Sequence, residues 1–520
     1  MIGSIVKRYP ALARFRAIWL APVFALVALV AWSLASPMGA GPDDDFHLAS
    51  TWCANAANTS ACLPGSEDDQ RILPEAINEA ACYASKPEVS AACQEQEFSL
   101  DPTPTVDTAR GNFKGAYPPV YYAFMSVFVG PDILASIMIM RVVNALLFVG
   151  ITVALYLLLP VVRRPALVWG WVITTMPLGI FLIASNNPSS WAVMGVGSAF
   201  FALLGWFEAQ GRRRFALGAL YAASVVMAAG ARGDAALYAV VATGIVLILT
   251  VARTRAFWLN AILPFAMILV AAAFYLTSGQ VSSGTSGFSG GGGGSTGSGG
   301  STGGGTEGGA PDSPDAPLSG FGLIAYNLLN IPKLWAGAFG DWGLGWLDTS
   351  MPAVVIFGSV AVFVAIGFGG LSRMSPRKWI VVPGLALLLW LLPTYVLVQG
   401  GDEVGESVQP RYILPLIVLL GGLLMLTRGA QRIDFTRAQL VLVGGTLAVI
   451  HFVALHMNIR RYVTGTDAPG PSLDAGAEWW WDIAISPNAV WILGSLAYAG
   501  LIAVLLREIT KPARIRSLVE

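Results

Sequence analysis

Charge is scarce in this sequence: Asp, Glu, Lys and Arg make up only 12% of its 520 residues, against 55% hydrophobic ones. That proportion excludes a water-soluble chain and is the composition of a membrane protein. The 31 basic and 31 acidic residues cancel, so there is no overall basic field to hold nucleic acid. Histidine is rarer still, at three residues, and the four cysteines contain no CxxC pair. The spacing that marks most structural zinc sites is therefore missing. No Walker motif occurs, and the basic connections between apolar runs leave no room for a nucleotide-binding domain.

In place of charge the chain has apolar runs long enough to cross about 30 Å of hydrocarbon. They lie near 17–35, 133–159, 166–184, 190–207, 215–230, 235–251, 256–276, 352–370, 379–399, 411–427, 438–457 and 489–506, about twelve in all. The first follows Lys7, Arg8, Arg14 and Arg16 and exceeds a usual signal-peptide core, so a retained anchor is expected. Lys and Arg are held on the cytoplasmic side of a membrane. Putting the N-terminus (1–16) and the basic tail (507–520) in the cytoplasm places roughly two-thirds of the Lys and Arg residues inside. Among them are Arg163 and Arg164, Arg212 to Arg214, Arg253 and Arg255, Arg377 and Lys378, and Arg428 to Arg437. The expected fold is an all-α polytopic protein of the inner (plasma) membrane, with helices 2–7 in 118–276 and 8–12 in 352–506.

This topology leaves four segments outside: 36–117, a Gly/Ser/Thr-rich loop (277–319) leading into an apolar stretch (320–347), 400–410, and a Trp-rich loop (458–488). Function is sought there. Gly284 to Gly309 holds too little apolar surface to offset chain entropy, and lacks the strand-to-helix setting of a phosphate-cradling loop, so it reads as disordered. Phe321 to Phe339, carrying Lys333 and Trp335 with Trp342 and Trp346 nearby, suits a helix in the outer interface. Cys53, Cys62, Cys82 and Cys93 all fall in 36–117, where an oxidising compartment and an even count predict two disulfides. Of the three connectivities, Cys53 with Cys62 and Cys82 with Cys93 needs least chain closure.

Directly after the first run stands Gly41-Pro42-Asp43-Asp44-Asp45-Phe46-His47. From a helix starting near Pro42, either Asp43 or Asp44 shares a face with the His47 ring. Adjacent carboxylates raise one another's pKa, which suits a general base; helix capping by Asp is the plainer alternative. Arg141, Arg232 and Arg411 stand at membrane depth or at its edge, and together would make a cationic pocket for a phosphate. Against this, Arg232 has Asp234 as a neighbour to pair with, and Arg411 is placed to snorkel. Tyr117-Pro118-Pro119-Val120-Tyr121-Tyr122 and Ser185-Asn186-Asn187-Pro188-Ser189 put polar groups at the mouths of apolar helices, either lining a site or setting helix starts.

Pro42-Asp43-Asp44 with His47 resembles the Pro-Asp-Glu-x-x-His element of a bacterial multi-pass family, domain of unknown function 2142. Tyr117 to Tyr122, Asn187-Pro188-Ser189, Gly345-Trp346-Leu347-Asp348-Thr349 and Gln409-Pro410-Arg411-Tyr412 to Pro415 resemble its later elements in order, over roughly 15 to 505. The chain has Asp44 where that pattern has Glu, and Pro410 where it has Gly. The family is similar in layout to GT-C glycosyltransferases, so the resemblance implies a GT-C-like fold and transfer of a sugar from a polyprenyl-phosphate donor on the outer membrane face. It implies Asp44 or Asp43 as general base with His47 orienting it, and Arg411, with Arg141 or Arg232, on the donor phosphate. Tyr117, Tyr121, Asn187, Lys333, Gln409 and Tyr412 are the candidate substrate-lining residues. The acceptor would be a glycan, lipid or protein, among membrane lipids, with no cofactor required, although the Asp43 to Asp45 oxygens suit a divalent cation. A transporter or flippase for a lipid-linked glycan, or an envelope-assembly scaffold, is the rival reading.

The topology has a direct test: a cysteine at Ser295 should react with an impermeant maleimide in intact cells. Labelling only after lysis would overturn the orientation.

Overall fold

The structure is a computed structural model and describes residues 16–55, 61–94, 104–279, 318–428 and 433–509. The Gly284 to Gly309 run, residues 1–15 of the basic N-terminus and residues 510–520 of the basic tail lie outside them. From the N-terminus the helices are α1 (Ala17–Leu34), α2 (Asp44–Trp52), α3 (Val120–Met125), α4 (Ile133–Leu158), α5 (Arg164–Val172) and α6 (Leu178–Ile183). There follow α7 (Ser189–Glu208), α8 (Gly211–Ala229), α9 (Gly233–Thr250), α10 (Arg255–Thr277) and α11 (Gly320–Ala338). The last are α12 (Ala353–Leu371), α13 (Lys378–Gly400), α14 (Pro410–Leu424), α15 (Arg437–Val463) and α16 (Pro487–Ile509).

Among the described residues nine of these are long and apolar enough to cross a membrane: α1, α4, α7, α9, α10, α12, α13, α15 and α16. Three runs expected to span fold differently. The run at 166–184 breaks into α5 and α6 ahead of Pro177, which has no N–H to continue a helix. The Thr174 and Thr175 hydroxyls bond back to the Gly170 and Trp171 carbonyls at that break. The run at 215–230 extends back through three arginines into α8, and that at 411–427 becomes the 15-residue α14. Local signals set the starts of others: Asp132 caps α4 by accepting from the Ala135 N–H at 2.9 Å, and Thr436 with Gln439 forms a capping box on α15.

Helices α7 and α14 form the centre of the bundle and are buried nearly all round. Small residues let α5 close on α14: a Cβ on Gly170 would stand 3.0 Å from the Gly422 Cα. Around this centre α1 packs against α16 and α4, and α15 against α16 and α12. Helix α15 runs on to Val463, so the first residues of the expected Trp-rich loop are helical.

The first loop is not wholly helical, a departure from the all-α expectation. Besides α2 and a single helical turn at Glu75–Asn78 it holds a small antiparallel sheet of β1 (Leu63–Pro64), β2 (Arg71–Pro74) and β3 (Thr105–Thr108) in that order. The disulfides Cys53–Cys62 and Cys82–Cys93 form as the short-range pairing expected.

Between α1 and α2 the chain is irregular yet buried, so its carbonyls need donors from elsewhere. The Arg141 Nη1 donates to Ser33 O at 2.9 Å and Ser36 O at 2.5 Å, and its Nη2 to Pro37 O at 2.6 Å. Trp481 serves Leu34 at 2.8 Å, Asn458 serves Ala35 at 3.0 Å, and Trp346 serves Gly39 at 2.9 Å. Tyr83 and Gln94 both donate to Met38, at 2.6 and 2.8 Å, and Asn187 to Pro42 at 2.7 Å. Arg461, in a buried ion pair with Asp348 at 2.7 Å, also donates to the Tyr83 and Val89 carbonyls. It thereby ties the second disulfide loop to α15.

Arg141→Leu should strand three buried carbonyls, each worth about 1–3 kcal/mol, and lower stability by roughly 3 kcal/mol or more. Unfolding in detergent followed by Trp fluorescence measures this. An unchanged midpoint would remove Arg141 from this role.

Candidate functional site

The Asp triplet is divided by the turn that carries it. Helix α2 begins at Asp44, two residues later than Pro42, and Asp43 precedes it with φ 59° in the left-handed region. That conformation strains a non-glycine residue, although Asp bears it better than most. The Asp43 side chain makes no cap hydrogen bond to α2. Its Oδ2 instead accepts from Arg411 Nη2 at 2.6 Å, while its Oδ1 lies 3.5 Å from Arg110. Asp45 takes a bidentate bond from the same Arg110, at 2.6 and 3.1 Å. Asp44 turns the opposite way, is fully buried, and accepts from the Gly41 N–H at 2.9 Å.

Their ionisation differs accordingly. Burial acts to raise the Asp43 pKa, but the Arg411 guanidinium, with Arg110 beyond it, outweighs this and holds the carboxyl below its usual value. Burial pushes Asp44 up to about 6, with Arg141 and the Gly41 N–H opposing. Burial also holds His47 down to about 3, so the ring is neutral. His47 orients neither acid: its Nδ1 lies 2.9 Å from the Tyr122 hydroxyl. The expected pairing of His47 with Asp43 or Asp44 across one helix face is thus replaced by a contact to α3.

Arg411 opens α14 and is 3% exposed. Its Nη2 reaches both Asp43 and, at 2.9 Å, the Tyr412 hydroxyl. Its Nε and Nη1 are buried with no hydrogen-bond partner. Arg232 pairs bidentately with Asp234 at 2.9 and 3.0 Å, the plainer of its two expected roles. It also lies over the rings of Tyr412 and Tyr117, at 4.7 and 5.6 Å from their centroids. Tyr117 stands edge-on to His47, and burial raises its hydroxyl to about 12. These residues, from α2, α3, α9 and α14, converge on one place.

Other candidates lie apart from that convergence. Arg141 is committed to the carbonyls after α1 and, through Nε, to Asn186 at 2.8 Å. Asn187 holds Pro42 and so supports the turn from behind. Tyr121 packs edge-on to Tyr122 and Trp191. Gln409 precedes α14, half-buried, and Lys333 is exposed on α11. Among the described residues no group of three or more His, Cys, Asp or Glu is arranged to hold a metal ion. Sequence reasoning missed Arg110 and Tyr122. Arg110 looks like any loop cation, whereas Tyr122 sits in the Tyr-Pro-Pro element and was within reach.

A polytopic membrane protein with a disulfide-bearing loop and a largely buried Asp–Arg pair is the class these features define. The family described as predicted membrane protein, DUF2142, matches residues 26–420, and the chain belongs to it. No curated protein and no solved structure matches the chain.

Asp44 allows a check of this placement. Its folded pKa, about 6, lies above the usual 3.8, so its stabilising contribution is complete below about pH 4 and is lost as pH rises through about 6. Asp44→Asn does not titrate, and should gain on the native protein between about pH 3 and 7 by on the order of 3 kcal/mol. Parallel unfolding curves against pH would contradict the burial of this carboxyl.

Proposed function

We propose that the protein is an inverting glycosyltransferase of GT-C type, moving a sugar from a polyprenyl-phosphate donor to an envelope acceptor on the extracytoplasmic face of the plasma membrane. The observation that carries this reading is the Asp43–Arg411 pair, in which a buried guanidinium keeps two donor nitrogens unpartnered beside a carboxylate. In it α5 with α6, α8 and α14 complete about twelve crossings, and both termini are cytoplasmic.

Asp43 is the base in this mechanism, because Asp44 has no exposed surface through which an acceptor hydroxyl could reach it. Asp43 takes the proton of an acceptor hydroxyl, whose oxygen bonds to the anomeric carbon. The bond from that carbon to the phosphate oxygen breaks, and the polyprenyl phosphate leaves with the electron pair. Arg411 receives the phosphate through a planar fork that pairs its unpartnered Nε or Nη1 with Nη2, and the site's dryness strengthens that bond as charge grows. Arg232 and Tyr412 support Arg411 from beneath through ring contacts. Asp43 and Asp45 are neutralised by arginines rather than gathered around a cation position, so guanidinium rather than metal serves the phosphate here.

The test is release of free polyprenyl phosphate from labelled polyprenyl-phosphate sugars by protein purified in detergent. Asp43→Asn should cut turnover about 100- to 10,000-fold. Arg411→Lys keeps the charge but loses the planar fork, and should weaken donor binding as well as turnover. Full turnover in Asp43→Asn would end this mechanism.

A further inference from the structure

Three guanidiniums and three carboxylates meet at the site, but they are not equally committed. Arg232 is locked bidentately to Asp234, and Arg110 bidentately to Asp45. Asp43 and Arg411 are the remaining pair, and they are joined through a single nitrogen. Asp43 already has a second cation in view, since Arg110 Nη2 stands 3.5 Å from its other oxygen. Arg411 has two buried nitrogens with no partner, an arrangement that is costly unless an acceptor arrives.

We propose that the donor's phosphate and Asp43 compete for Arg411, so that phosphate binding releases Asp43 to Arg110 and thereby turns it into an effective base. This rests on the reading of Arg411 as the phosphate site. A phosphate engaging Arg411 through its planar fork draws on the charge that Asp43 now shares. Asp43 then loses the guanidinium that most strongly suppresses its proton affinity. Arg110 keeps the carboxylate in place at longer range. The acid is quiet in the empty enzyme and basic only with donor present, and Arg110 is a positioning residue that never touches the reacting atoms.

The competition predicts opposite signs for two substitutions, read as affinity for farnesyl phosphate by titration calorimetry in detergent. Asp43→Asn removes the competitor and should bind the probe several-fold more tightly. Arg110→Gln leaves Asp43 with Arg411 alone and should bind it several-fold more weakly, and this second variant carries the test if the first does not fold. Farnesol, which lacks the phosphate, should bind all forms alike. Unchanged or weaker farnesyl phosphate binding by Asp43→Asn would overturn the competition, as would an equal gain with farnesol. Turnover separates the two readings: lost turnover at unchanged affinity spares the base and sinks the exchange. Tightened affinity at full turnover does the reverse.

Discussion

Buried carbonyls that no helix or strand pairs must find hydrogen-bond donors among side chains, and the stretch from Ser33, at the end of α1, to Pro42 presents such carbonyls. Eight of its carbonyls are held, one after another, by Arg141, Trp481, Asn458, Tyr83, Gln94, Trp346 and Asn187. These donors come from nearly every part of the chain. The geometry of the Asp triplet follows from this cradle, because the turn that points Asp43 one way and Asp44 the other begins where Asn187 grips Pro42.

Charge within the fold divides by the same logic. Arg141 satisfies carbonyls, Arg232 satisfies Asp234, and Arg461 satisfies Asp348 together with a disulfide loop. Each removes a cost that burial would otherwise impose on an uncompensated charge. Arg411 departs furthest from the pattern, keeping two buried nitrogens without a partner where Arg461 and Arg214 each keep only Nε. That contrast, more than depth or sequence setting, distinguishes it from the other arginines.

Length and apolarity made the main spans legible in advance, because a membrane crossing has a single dominant requirement. The disulfide pairing was legible for a similar reason, since short loops close at least entropic cost. The break at Pro177 was harder to see, hidden in a run whose mean apolarity still satisfies a span. The small sheet was invisible, its strands being two to four residues long. At the site, Asp43 and Arg411 were each marked by residue type, but their contact joins positions 368 residues apart and no local pattern encodes it. His47 was marked by helical spacing from the acids and turned instead to Tyr122, a tertiary preference that spacing does not carry. Arg141 drew attention as a charge at depth, and its use by carbonyls depends on a chain path that only the fold defines.

The span of that cradle also sets an order of assembly. The Leu34 carbonyl leaves the ribosome early, yet its partner Trp481 follows 447 residues later, and Asn458 trails Ala35 by 423. At about 5–20 residues per second, the first loop waits roughly 20 to 90 seconds for its last donors. During synthesis the Asp triplet therefore rides on unsupported backbone, while the Cys53–Cys62 and Cys82–Cys93 bridges close over short spans without waiting. Truncated or stalled chains carry the acids without the geometry, which only the finished protein has.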